Sequence, residues 1–402
     1  MSMADDIGAG KIVLFEHGEN WAATERFANT PLENGDVEAI TGAATRLITE
    51  ARLLLPEAGT LVKRIVIGLL QGHVVLSGPP GTGKTTLAKL IAASFNCAHT
   101  MVTATADWSA YDVIGGLRPR VVGTGNFVSE VLEPWPGHVP QAALKCADVM
   151  AQQESDDYQE THQAHWLIID EFSRADIDKA IGPLYTALSG ESKIPLWFGD
   201  VPERQAVYLP GRFRLIGTMN SVDTAYVFSF SQGLTRRFHF IHVGVPTHDQ
   251  IDDELRLSLE QAVEWRRRVY GGTTLDAAAV TAAAAALRAK APVEGALAAL
   301  RAFVAFVRYG DAGAKRPGWP IGTAQIVDVL REFVLRFEDG SAEEALGAID
   351  LAIADRIIPQ MGQLLREQID GTLDRLQEED LSGLTYTSQA LRQLREAQNT
   401  VF

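Results

Sequence analysis

The spacing of apolar residues changes character once along this chain, near residue 245. Before that point short apolar runs alternate with stretches of helical period; after it the helical period is almost unbroken. Ile40, Ala44, Leu47 and Ala51 fall on one helical face that stops near Pro56, and a second helix is expected over about Thr60 to Leu70. His73-Val74-Val75-Leu76 reads as a strand that enters a Gly-rich loop, followed at once by a helical pattern from Thr85 to Phe95. Further strands are expected over Ala98–Thr105, His165–Glu171, Phe213–Asn220 and Phe238–Val243. Helices are expected over about Val139–Gln153, Ile177–Ser189 and Tyr226–Leu234. Leu117–Leu132, centred on Gly123-Thr124-Gly125-Asn126, reads as a β-hairpin ended by a turn at Leu132–Gly137. Lys193–Phe198 with Gln205–Leu209 reads as a second hairpin. Strands alternating with helices imply a parallel sheet covered on both faces.

Residues 1–35 carry no sustained period and are expected to be an N-terminal extension or a partner-binding arm. Residues 36–245 are expected to form the α/β core with its hairpin insertions, and 246–402 a helical lid with C-terminal helices. The Ala-rich stretches Ala277–Ala291 and Val293–Val307 read as tight helix packing. Gly310–Pro320 reads as a loop, and helical patterns resume from Thr323 to about Glu379. The acidic tract Glu154–Gln163 is expected to be mobile.

Composition narrows the partners. A net charge of −15 argues against a broad grip on nucleic acid and leaves only a local groove or a partner protein for such contact. Two cysteines, Cys97 and Cys146, point to a reducing compartment without a disulfide framework. The apolar runs are too short for a signal peptide or a membrane span, so a cytoplasmic protein is expected.

The chemistry starts in the loop. Gly78-Pro79-Pro80-Gly81-Thr82-Gly83-Lys84-Thr85-Thr86 has the spacing of a phosphate-binding loop between strand and helix. Glycines let successive backbone N–H groups point at phosphate oxygens, and the new helix adds the positive end of its dipole. Lys84 is expected to reach the β- and γ-phosphates, and the Thr85 hydroxyl to bind magnesium. The rival is a Gly/Pro turn with a solvated lysine.

Four further stations follow. Asp170 and Glu171 close a buried strand, Asp170 to hold magnesium's water shell and Glu171 to orient or deprotonate the attacking water. The rival there is a pair of acids in a turn. Asn220 ends another strand and would position the water from the other side; as a lone residue it reads as a turn. Arg236 and Arg237, at the end of a short helix, include a candidate finger for a neighbouring subunit's γ-phosphate, with a slight preference for Arg237. Ile321-Gly322-Thr323-Ala324-Gln325 opens a lid helix; without a charge it reads first as a plain cap by Thr323.

This order of stations resembles the AAA+ NTPases, whose P-loop fold the pattern fits. Asp170-Glu171-Phe172-Ser173-Arg174-Ala175 and Ile216-Gly217-Thr218-Met219-Asn220-Ser221-Val222-Asp223 are similar to segments of the MoxR and McrB-like, dynein-related branch. Ser173 stands where that branch has Asn, and Thr224 where McrB relatives carry Arg. Asp107-Trp108-Ser109 and Ile358-Pro359-Gln360-Met361 also look like McrB-type segments. The resemblance covers about residues 60–370.

It implies a magnesium-dependent ATPase, with GTP as the alternative nucleotide, working as a ring that is expected to be hexameric. Arg236 or Arg237 would act across the subunit interface, and both hairpins would project toward the pore or a partner; Trp135 and Trp197 would lie there or, as tryptophans more often do, in the core. The ring would drive a separately encoded effector or client. The alternatives are a GTP-hydrolysing motor of a restriction or phage-defence nuclease complex, and a slow, MoxR-like nucleotide-gated chaperone. With the loop starting at Gly78, a DNA-reading domain ahead of it is not expected.

Overall fold

The computed structural model describes residues 19–124, 127–154, 162–190, 192–194, 207–220, 230–271, 276–310 and 318–399. The chain forms two compact units. The first comprises Met1–Ile48, Gly59–Ser77 and Lys84–His242; the second comprises Thr49–Ala58, Gly78–Gly83 and Val243–Phe402.

In the first unit a five-stranded sheet has the order β2-β5-β6-β1-β7, built from β1 (His73–Gly78), β2 (Cys97–Thr103), β5 (Ala164–Asp170), β6 (Leu215–Asn220) and β7 (Phe238–His242). The pairs β2–β5, β5–β6 and β1–β7 are parallel, with Thr103 opposite Asp170, Ile169 opposite Gly217 and Ser77 opposite His242. The runs of apolar residues expected to be central strands are buried almost throughout, as strands covered on both faces must be. The helix Ala58–Gln71 packs so closely that a Cβ on Gly68 would sit 3.0 Å from Val74. His73 is buried and its Nδ1 accepts the Leu215 amide at 3.1 Å; burial, with Arg214 and His239 nearby, pushes its pKa down to about 3.

The hairpin pairs β3 (Gly115–Thr124) with β4 (Phe127–Pro136), Thr124 opposite Phe127 and Gly115 opposite Pro136. It extends through Leu132–Pro136, which the sequence pattern assigns to a turn. Both strands of a two-stranded ribbon keep an open edge, where the missing N–H groups of Pro134 and Pro136 cost no ladder bond. Half-buried Trp135 lies opposite Gly116. Of the second hairpin, the bridge Lys193–Tyr208 is present; residues 195–206, with Trp197, and residues 221–229, with Thr224, lie outside the described residues, as do 125–126, 155–161 and 311–317.

The helix expected over Ile177–Ser189 is shorter, Ile177–Ile181, and is followed by 3-10 turns at Gly182–Leu184 and Ala187–Ser189. Pro183 is the cause, since it has no N–H and its ring clashes with the carbonyl four residues back. Glu19–Arg26 is a helix that the aperiodic sequence of residues 1–35 does not announce. It is tied into the first unit by the Tyr208 amide donating to the buried Thr24 hydroxyl at 3.1 Å and the Gly211 amide donating to Phe27 at 2.9 Å.

The second unit is helical: Ile251–Arg266, Ala277–Arg288, Ala291–Tyr309, Thr323–Arg336, Ala342–Arg356, Arg366–Arg375 and Thr385–Asn399. Phe303, Phe333, Leu300, Leu330, Ile349 and Ile353 form its core. The last helix is one of the C-terminal helices expected up to residue 402, and it lies past Glu379, where the readable helical pattern ends. Buried Asp350 accepts the Tyr386 and Thr387 amides, each at 2.8 Å, and so caps that helix from another one. No helix among the described residues is long and apolar enough to cross a membrane.

Candidate nucleotide site

Parallel strands all end on one edge of a sheet, and clefts at the carboxyl ends of such strands hold ligands. In this chain β1, β5 and β6 bring their last residues to that edge. Lys84 and Thr85 open the helix Lys84–Ser94 after β1, Asp170 closes β5 and is followed by Glu171, and Asn220 closes β6, which lies between β5 and β1 in the sheet.

The Thr85 hydroxyl donates to Asp170 Oδ1 at 2.7 Å, across a separation of 85 residues. The Thr218 hydroxyl donates to the same oxygen, and the Glu171 amide donates to Thr218 Oγ1 at 3.3 Å. The sequence places Thr218 in a strand and in a family-like segment without announcing this contact. The signal available was a hydroxyl two residues before the end of an otherwise apolar strand. Glu171 has φ +54, left-handed for a non-glycine residue, a conformation that costs of order 1–2 kcal/mol and is kept only where its surroundings enforce it. Its carboxylate forms an ion pair with Arg174, three residues on, which is itself exposed. Arg174 is a second residue whose contact the sequence reading did not assign.

Lys84 is 6% exposed. Burial pushes its ammonium pKa down from 10.5 to about 8, although Asp170 and Glu171 pull it back up. An amine so placed gains from any added negative charge. Thr86 is exposed, and Asn220 is half-buried at the end of its strand.

Gly83, joined to Lys84 by a peptide bond, ends the loop Gly78–Gly83, which belongs to the second unit. Gly81 has φ +76 and Gly83 φ +80, both left-handed, so glycine is required at each. At Gly78 the reason is close approach: a Cβ would stand 2.0 Å from the Val243 carbonyl oxygen. Buried Thr82 donates its hydroxyl to the Pro79 carbonyl at 3.0 Å, and the Ala324 amide donates to the Gly81 carbonyl at 3.0 Å. Pro79 is buried and Pro80 half-buried.

The lid-helix station differs from the expected cap. Gly322, not Thr323, is the residue before the helix, and Gln325 reaches back to accept the Gly322 amide. The Thr323 hydroxyl instead donates to Glu254 at 2.6 Å.

The two arginines separate clearly. Arg237 donates from Nε to the Tyr185 carbonyl at 3.2 Å and from a terminal nitrogen to the Gly233 carbonyl at 3.0 Å, with its guanidinium 5.3 Å from the centre of the Tyr185 ring. Arg236 is exposed, at the end of the short helix Gln232–Thr235. Ser231 caps that helix by accepting the Leu234 amide at 3.1 Å, and its own amide donates to Asp178 at 2.8 Å.

The oxygens of Thr85 and Asp170 suit magnesium, a hard cation that takes one or two protein oxygens and completes its shell with water and phosphate oxygens. No cluster of three or more His, Cys, Asp or Glu among the described residues could hold a metal by itself.

No curated protein matches the chain. Among solved structures, one point mutant of Thermotoga maritima RuvB is 14% identical, over 84% of this chain and 88% of that chain, with a TM-score of 0.38. Another mutant of the same protein is 13% identical, over 90% of this chain and 87% of that one, with a TM-score of 0.37. At these scores neither likeness carries an argument. The family comparison rests on the segment that holds β1, Lys84, Asp170 and Asn220: residues 73–238 match the model of the AAA domain of the dynein-related subfamily, which supports an AAA+ nucleoside triphosphatase domain there.

Proposed function

We propose that this chain is an AAA+ ATPase motor of the MoxR and McrB-like branch, hydrolysing ATP in an oligomeric ring, expected to be hexameric, to drive a separately encoded partner. The observation that carries the reading is the convergence of the Thr85 and Thr218 hydroxyls on one oxygen of Asp170, beside a buried lysine. Thr85 and Asp170 would hold magnesium, which on binding neutralises charge on the phosphate oxygens. The loop Gly78–Gly83 would cradle the phosphates with backbone N–H groups, and Lys84 would meet the β- and γ-oxygens as a cation. Thr86, the next residue of the same helix, would lie at the phosphates as well. Glu171 would accept the proton of the attacking water and Asn220 would orient that water. The Thr218 contact to the Glu171 amide fixes the backbone from which the base projects, and Arg174 pairs with that carboxylate. Catalysis of this kind is positioning and electrostatics.

Arg236 is the finger in this reading, offered to the neighbouring subunit's γ-phosphate, because Arg237 is already held by Tyr185 and Gly233 of its own chain. The hairpin β3–β4 projects toward the pore or partner face. A cytoplasmic location fits Cys97 and Cys146, both free and buried, with burial pushing both thiols up and Cys146 to about 12.

Turnover of ATP and GTP by the purified chain, with oligomer mass recorded in each nucleotide, tests the reading. Hydrolysis of ATP that disappears in Lys84→Ala, with a ring formed in nucleotide, is the expected result; no Lys84-dependent turnover of either nucleotide overturns it. A strong GTP preference with stimulation by a nuclease would replace it with the defence-motor alternative. Slow hydrolysis stimulated by a client protein would replace it with the chaperone alternative.

A further inference from the structure

Within the second unit the turn Pro80-Gly81 packs backbone to backbone on the start of helix Thr323–Arg336. A Cβ on Gly322 would fall 2.2 Å from the Pro80 carbonyl oxygen and 2.6 Å from the Gly81 carbonyl carbon, so glycine alone permits this approach. The Ala324 amide, one of the helix's first N–H groups, donates to Gly81 O. That start is itself held from two sides. On one side the Thr323 hydroxyl bonds Glu254 Oε1, whose two oxygens also receive the Arg308 guanidinium at 2.6 and 3.1 Å. Both charged side chains are fully buried. On the other side Gln325 accepts the Gly322 amide and donates to Gln360, which in turn donates to the Arg356 carbonyl at 2.7 Å.

A buried ion pair is seldom retained for stability alone, since well-packed apolar residues of similar volume do as well or better. What Glu254 supplies and an apolar side chain could not is an acceptor for Thr323. We infer that Thr323, Glu254 and Arg308 are positioning residues for the phosphate loop: they fix the helix start whose Ala324 amide holds the Gly81 carbonyl, and thereby hold the loop in its nucleotide-binding shape before any nucleotide arrives. This rests on the nucleotide-binding reading of the loop and adds to it that the helical unit presets the loop. Preorganisation of this kind acts on affinity, because a loop already ordered loses less entropy on binding.

The test uses Thr323→Val, which removes the hydroxyl and keeps shape, Thr323→Ser, which keeps the hydroxyl, and Gln360→Leu, which breaks the second tie. A fluorescent ATP analogue reports Kd in the full chain, amide hydrogen exchange reports the Ala324 N–H in nucleotide-free protein, and steady-state rates separate KM from kcat. Thr323→Val should weaken binding roughly tenfold, raise KM with little change in kcat, and speed exchange at Ala324, while Thr323→Ser restores all three. Gln360→Leu should shift Kd in the same direction by a smaller factor. Nucleotide affinity and Ala324 exchange both unchanged in Thr323→Val and in Gln360→Leu, in a wild type whose binding is lost in Lys84→Ala, would overturn this inference alone. A wild type that binds no nucleotide would overturn the underlying reading with it.

Discussion

Two carboxylates of this chain are held in opposite ways. Glu254, in the helical unit, is sealed from solvent and meets Arg308 through both oxygens, with Thr323 as a third partner. Asp170, at the edge of the sheet, is half-buried and meets the neutral hydroxyls of Thr85 and Thr218 through one oxygen. A charge matched by a buried counter-charge is committed, because removing either partner strands the other in a medium that cannot solvate it. A charge held by hydroxyls can trade them for a cation at little cost. The first arrangement is closed to exchange and the second is open to it.

That contrast can be broken or sharpened in descending order of effect. Arg308→Met should lower stability by about 3–5 kcal/mol by leaving Glu254 unpaired, while the double change Arg308→Met with Glu254→Leu should recover most of it. Denaturant titration checks this, and equal losses in both variants would show that the pair is no committed unit. Arg236→Ala should cut turnover by roughly a thousandfold at unchanged melting temperature. Arg237→Ala should instead lower stability by about 1 kcal/mol through its lost hydrogen bonds, with a smaller rate effect. Rates at saturating nucleotide, paired with melting curves, separate the two arginines, and the reverse pattern would return the finger to Arg237. Glu171→Gln should reduce turnover by about a hundredfold while nucleotide still binds; a variant as fast as wild type would remove Glu171 as the base.

The smallest expected effect is on pH dependence. Lys84 of the nucleotide-free protein, pushed down to about 8 by burial, is protonated below that pH and neutral above it. A bound triphosphate favours the ammonium form and raises that value, so binding takes up a proton at pH above 8. Affinity should therefore be flat below pH 8 and fall by up to about tenfold per pH unit above it, until the pKa of the bound state is reached. Calorimetry in buffers of different ionisation enthalpy measures the proton directly, and no uptake at pH 9 would mean that Lys84 is charged before nucleotide arrives.

What could be read from the sequence was whatever sits at a strand end or in a glycine loop. Lys84, Thr85, Asp170, Glu171 and Asn220 are announced by the switch from apolar run to polar residue, and the sheet brings those residues to one edge. Thr218, Glu254, Arg308 and Thr323 were not legible in their roles, because each acts through a partner at least 48 residues away and none interrupts the local period. Helix 385–399 falls among the C-terminal helices expected up to residue 402, but its start could not be read for a related reason. Its N-terminal anchor, Asp350, lies 36 and 37 residues upstream of the amides it accepts, so no local capping signal marks its start.

That anchor has a practical consequence for anyone who trims the chain. Cutting before Thr385 to obtain a tidier fragment would leave a buried aspartate without the amides of Tyr386 and Thr387, a loss of the size of a missing helix cap or more. The tail that looks most expendable in the linear sequence is thus a fastening for the middle of the helical unit, and shortened versions should be designed to end beyond Asn399 or to replace Asp350 as well.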